Sequence, residues 1–220
     1  MSIKVTGSAA DVRTIENLLQ KLCPNVRVNV TTKRVELIDP MGDMTSSSCC
    51  CLKFLIDIHY VVTIYPLDGP ESEIPGSKQK IGDGGGGATD TDIRATYRNE
   101  PGPSGTVLAG IGADTDVYID ISDNDGKGYY VFDARGRPIS FPPFIRLGKL
   151  LCTGSAYHNA RGTSARTPAV RASQAMKHEN DIRQNTNAPN GRPYAQRADD
   201  RAGRVGTEGV STVPDNSGGG

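Results

Sequence analysis

Apolar positions in the first third of the chain change period several times, and each change marks an element. Val12, Ile15, Leu18, Leu19 and Leu22 recur at helical spacing behind Ser8, a side chain suited to cap a helix beginning at Ala9. Ile3–Thr6, ahead of it, reads as a short strand. Pro24-Asn25 stops the helix. Val26, Val28 and Val30, then Val35 and Leu37, alternate with polar residues as a hairpin with one apolar face. Helical spacing returns at Leu52, Leu55 and Ile56, in a segment from Cys49 to Asp57 that the Ser46–Ser48 cluster can cap. Tyr60–Tyr65 is an aromatic and β-branched run, expected to be a strand closed by Pro66.

The pattern then weakens. Leu67–Ala88 is rich in Gly, Pro and charge and includes the run Gly84–Gly87. No Lys-Ser/Thr follows that run, so it reads as a flexible surface loop and not a phosphate cradle. Strands are expected near Ile93–Tyr97, at Val117–Ile121 and at Tyr129–Phe132. Asp123-Asn124-Asp125-Gly126 reads as a hairpin turn, because the downstream Glu of a calcium loop is missing. Ala134-Arg135-Gly136 is a second turn. Pro142-Pro143 fixes an extended entry to a helix over 144–160, with Phe144, Leu147, Leu151 and Cys152 on its apolar side. An Ala-rich helix follows from Ala169 to about Arg183. Beyond 194 there is little to bury, so the expectation is a folded domain over 1–194 and a disordered tail over 195–220.

Charge and composition narrow the function classes. Lys/Arg and Asp/Glu balance at 25 each, and the last sixty residues hold only a small basic excess, so neither nucleic acid nor a membrane is an expected partner. No apolar run approaches the roughly 20 residues of a membrane-spanning helix. Met1–Ala10 lacks the apolar core of a Sec signal. Five cysteines include the consecutive Cys49-Cys50-Cys51 and no CxxC pair, which reads as reduced thiols in a reducing cytosol.

Three pieces of sequence carry a resemblance. The first is Cys50-Cys51-Leu52-Lys53-Phe54-Leu55-Ile56 followed by Val62-Thr63-Ile64. The second is Gly128-Tyr129-Tyr130-Val131-Phe132-Asp133 leading to Pro142-Pro143-Phe144-Ile145-Arg146-Leu147-Gly148. The third is Ala156-Tyr157-His158-Asn159-Ala160-Arg161-Gly162, with Glu179-Asn180-Asp181-Ile182-Arg183 downstream. In order and spacing these resemble the NleD-like family of bacterial effector metallopeptidases, zincins delivered to host cells by type III secretion. The resemblance implies an α+β, zincin-like fold, with a small mixed or antiparallel sheet packed on helices that include the active-site helix at 144–160. It also implies zinc as cofactor, a host protein substrate or target such as a signalling kinase, and non-Sec export from the bacterial cytoplasm into the host cytosol. A monomer is expected.

The family's chemistry needs two histidines one helical turn apart to hold zinc, a glutamate between them as general base, and a downstream acidic ligand. After the matching Gly148, this chain has Lys149 at the first ligand position, Leu150 at the base position and Thr153 at the second ligand position. An ammonium does not bind zinc and leucine takes no proton. Three accounts stay open: a pseudo-enzyme, a reading-frame lesion confined to 149–155, or a rebuilt metal site using His158, His178 and Glu179. Cys152 and His158 lie on different sides of one helix and make a poor nucleophile–base pair. No catalytic residue is assigned.

Overall fold

The computed structural model describes residues 3–42, 46–90, 97–101, 107–109, 113–123, 127–152, 156–157, 168–188, 191–199 and 201–206. In chain order the elements are strand β1 (Ile3–Val5), helix α1 (Ala9–Leu22), β2 (Val26–Asn29), β3 (Arg34–Leu37), α2 (Ser47–Asp57), β4 (Val62–Leu67), a 3-10 turn at Ile81–Gly84 and β5 (Gly87–Asp90). They continue as β6 (Tyr97–Pro101), β7 (Val107–Ala109), β8 (Thr115–Asp120), β9 (Tyr129–Phe132), β10 (Pro138–Ser140), α3 (Pro143–Cys152), α4 (Pro168–Asn185) and β11 (Ala202–Arg204).

The fold is mixed α+β. A six-stranded sheet runs β2-β3-β1-β4-β8-β5, a three-stranded sheet runs β10-β9-β11, and β6 pairs with β7. In the large sheet β4 is parallel to both β1 and β8, while the hairpin β2–β3 and the edge strand β5 run antiparallel to their neighbours. Ser8 caps α1 through a reciprocal capping box with Asp11, as its position suggested. The edge strand β2 is closed to further pairing by α1. Glu16 accepts from the Val28 N–H at 2.9 Å, and Gln20 donates to the Val26 carbonyl at 3.1 Å.

Helix α3 is the centre of the molecule. Of its residues only Lys149 escapes full burial. It packs on β8 and β5 and against α1, α2 and α4. Gly148 makes the tight crossing possible, because a Cβ there would sit 2.6 Å from Ile182 Cδ1 and 2.8 Å from Leu22 Cδ2.

Several expectations are corrected. Pro66 does not end its strand: β4 runs to Leu67, and Pro66 pairs with Ile119. β1 stops at Val5 opposite Ile64, so at Pro66 the strand has a neighbour on one side only and the missing N–H costs no ladder bond. The glycine run is not a loose loop. Gly85 and Gly86 take positive φ and lead into β5, and a Cβ on Gly86 would lie 2.6 Å from Arg146 Nη1 and 2.8 Å from the Tyr129 ring. The 121–128 connection does not close a hairpin, because β8 and β9 belong to different sheets. Residues 124–126 and the expected strand start at Ile93 lie outside the described residues, as do 153–155 and 158–160 of the helix expected over 144–160.

The expected boundary at 194 also moves. Tyr194 packs on Phe144 with ring centroids 5.7 Å apart, Arg197 is 3% exposed, and β11 pairs with β9. Past Tyr194 the segment is held mainly by one buried arginine and backbone pairing, which a hydrophobicity pattern does not register.

The cysteines are corrected as well. Cys23 pairs with Cys49, and Cys51 pairs with Cys152. Consecutive positions on a helix point in different directions, so Cys49 reaches the end of α1 while Cys51 reaches the end of α3. Cys50 lies between them on the exposed face.

Candidate functional site

Two ionic clusters flank α3, and both are built from groups that are costly to bury alone. On one side the Glu179 carboxylate is completely buried. Its Oε1 accepts from Arg183 Nε at 2.9 Å, and its Oε2 accepts from Arg197 Nη1 at 2.7 Å. Lys149 Nζ stands 3.9 Å from the same Oε2. Glu179 and Arg183 are one turn apart on α4, Lys149 comes from α3, and Arg197 comes from the C-terminal segment. Arg183 Nη1 also donates to the carbonyls of Ser140 (3.0 Å) and Ala195 (3.2 Å). The Phe141 ring lies beside all three cations, 5.5 Å from Lys149, 5.7 Å from Arg183 and 5.6 Å from Arg197. Burial alone would raise the Glu179 carboxyl. The charges of Arg183, Arg197 and Lys149 outweigh it and hold the group below its usual range.

The other cluster joins α3 to the sheet. Arg146 is 1% exposed, donates from Nη2 to the Asp120 carbonyl at 3.1 Å and stands 3.3 Å from Asp123 Oδ2. Its guanidinium stacks over the Tyr129 ring, 4.3 Å from the centroid. Tyr129 Oη donates to Asp120 Oδ2 at 2.6 Å, and Asp120 Oδ1 accepts from Gly69 N, Ser122 N and Ser122 Oγ. Burial would raise the Asp120 carboxyl, but hydrogen bonds from Tyr129 and Ser122 and the charge of Arg146 hold it low. Burial and the Asp120 carboxylate together push the Tyr129 phenol well up. A cleft of about 350 Å³ opens beside this cluster, between Pro70, Lys127, Gly128 and Arg204.

The residues singled out from sequence fall as follows. Lys149 is partly exposed and stands beside Glu179 across the α3–α4 contact, so the first ligand position meets one residue of the rebuilt site considered from sequence. Leu150 is buried, with a methyl 2.7 Å from where a Cβ on Gly87 would sit. His178 precedes Glu179 on α4. Its Nε2 is buried without a hydrogen-bond partner, and burial lowers its pKa against the charge of Asp181. Thr153 and His158 lie outside the described residues. Among the described residues, no group of three or more His, Cys, Asp or Glu is placed to hold a metal ion.

Sequence reasoning missed Arg146, Asp120, Tyr129 and Arg197. For Arg146 there was a signal: an arginine at the heart of the apolar run Phe144–Leu151 has to be buried with a partner. The Glu179/Arg183 spacing of four was also readable as a helix pair. Nothing near Arg197 pointed to its role.

The fold and site thus define a mixed α+β protein built round a buried helix with an ionic cluster on each side. No family model, no curated protein and no solved structure matches the chain.

Proposed function

We propose that this chain is an effector of the NleD-like zinc metallopeptidase class that has lost zinc-dependent catalysis and acts by binding a host protein target, a signalling kinase by resemblance. Lys149 and Glu179 support the first part. Where the family's first ligand position needs an imidazole, this chain has an ammonium, and it stands 3.9 Å from the Glu179 carboxylate, whose two oxygens already accept from Arg183 and Arg197. A divalent cation would have to displace these cations and gain at most one ligand from the pair. Leu150 at the base position offers no group to activate water.

The zincin-like fold, export by a non-Sec route into the host cytosol and the monomeric state belong to the same proposal. The three pieces that carry the resemblance fall on α2 and β4, on β9 and α3, and on part of α4, and the described residues hold no helix long and apolar enough to cross a membrane.

The test is a search for new N-termini in host lysate incubated with the full chain, with and without a zinc chelator. Purified signalling-kinase domains are titrated in parallel. The expected result is no chelator-sensitive cleavage, and kinase binding that chelator does not change. Chelator-sensitive cleavage would overturn the loss of catalysis, and absence of binding to every kinase tried would overturn the proposed target class.

A further inference from the structure

The two disulfides sit in different surroundings, although Cys49 and Cys51 are two residues apart and equally buried at 4% exposure. Cys51–Cys152 bridges α2 to the end of α3 inside the core, and Cys152 is fully buried. Cys23–Cys49 joins the end of α1 to the first turn of α2. Beside it lies an open cleft of about 440 Å³, lined by Pro24, Asn25, Ile38, Asp39, Ser46 and Cys49. A thiol entering that cleft meets Cys49, while Cys23 is fully buried behind it.

We infer that Cys23–Cys49 is a thiol-exchange site, opened by small thiols through this cleft, whereas Cys51–Cys152 is a structural staple. The inference stands independently of the family reading. In the first step a thiolate RS⁻ attacks Cys49 Sγ. An R–S–Sγ bond forms, the bond to Cys23 Sγ breaks, and the electron pair leaves on Cys23, which takes a proton from water. A second RS⁻ attacks the R sulfur of the mixed disulfide, releasing RSSR and the Cys49 thiolate. Two thiols are oxidised and one protein disulfide is reduced.

The position of Cys49 favours the second step. It lies in the first turn of α2, where its N–H is held by Ser46 Oγ at 3.1 Å and the helix N-terminus stabilises a developing thiolate. The half-exposed Ile38 side chain forms an apolar wall of the cleft and can be changed without touching either disulfide.

The experiment uses the full chain purified without reductant and exposed to glutathione under native conditions. Samples are quenched with N-ethylmaleimide, and label at each cysteine is followed by peptide mass spectrometry. Label at Cys23 and Cys49, or glutathione on Cys49, should appear on the order of tenfold faster than label at Cys51 and Cys152. Ile38→Trp, which narrows the cleft, should slow the first pair and leave the second unchanged. Opening of both pairs at one rate would mean that reduction passes through global unfolding and would overturn the inference. Cys51–Cys152 opening first would also overturn it, as would a chain carrying five thiols before glutathione is added.

Discussion

The Glu179 cluster and the Arg146 cluster lie on two sides of the same helix and solve the same burial problem with opposite charge balance. Around Glu179 one carboxylate faces Arg183, Arg197 and Lys149, whereas around Arg146 one guanidinium faces Asp120 and Asp123. Arg146 is further served by the Tyr129 ring, and Asp120 by the Tyr129 hydroxyl. The Arg146 cluster ties α3 to the sheet. The Glu179 cluster ties α3 to α4 and to the C-terminal segment, and it holds one residue of the rebuilt metal site considered from sequence. The contrast teaches that a buried acid beside a central helix is not by itself a ligand. What decides is whether its oxygens are already committed.

The largest effects should come from removing the hub of each cluster. Glu179→Gln leaves Arg183 and Arg197 buried without their anion and should cost about 3–5 kcal/mol in denaturant unfolding. Arg146→Met leaves the buried Asp120 and Asp123 without their counter-charge and should cost a similar amount, about 3–5 kcal/mol. The two are separable by proteolysis: Glu179→Gln should expose the C-terminal segment from Tyr194 to Arg204 to cleavage, and Arg146→Met should leave it protected. Equal protection in both would remove the assigned role of Arg197.

Acid should weaken both clusters. Glu179 and Asp120 have folded pKa values held below their ordinary 4.5 and 3.8, so the unfolded chain binds more protons in that range. Their stabilisation is complete above those ordinary values and is lost as pH falls through the depressed folded values. Unfolding free energy should therefore drop on the acid side of pH 4.5, with a shallower slope in Glu179→Gln, as read by chemical denaturation at a series of pH values.

A smaller effect is expected at the helix crossing. Gly148→Ala must push aside Ile182 and Leu22 and should cost about 1–3 kcal/mol, with both clusters intact. The smallest belongs to the turn after β9. Arg137 pairs with Asp133 at 2.7 Å but is 58% exposed, so screening should hold the cost of Arg137→Ala below about 1 kcal/mol.

Much of the framework was legible because local physics decides it. The α1 boundaries follow from Ser8, five apolar residues at helical spacing and Pro24, and the alternation of Val26, Val28 and Val35 placed β2 and β3. What failed depends on distant partners. Pro66 stays in its strand because β1 is short, Gly86 is held by Arg146 and Tyr129, and residues past 194 are held by Glu179. The disulfides escaped for the same reason, since three consecutive cysteines say nothing about which helix ends they meet. At the site, Lys149 was identifiable from its place after Gly148, and the Glu179/Arg183 pair from its helical spacing, but Arg197 was not, because it arrives from a stretch with no apolar pattern.

The central claim is that Glu179 is committed to Arg183, Arg197 and Lys149 and holds no metal. Calorimetric titration of zinc into the full chain, with the Glu179→Gln variant in parallel, tests it most directly. No stoichiometric binding to the wild-type chain is the predicted result. A site of about one zinc per chain in the wild type, lost in Glu179→Gln, would contradict it.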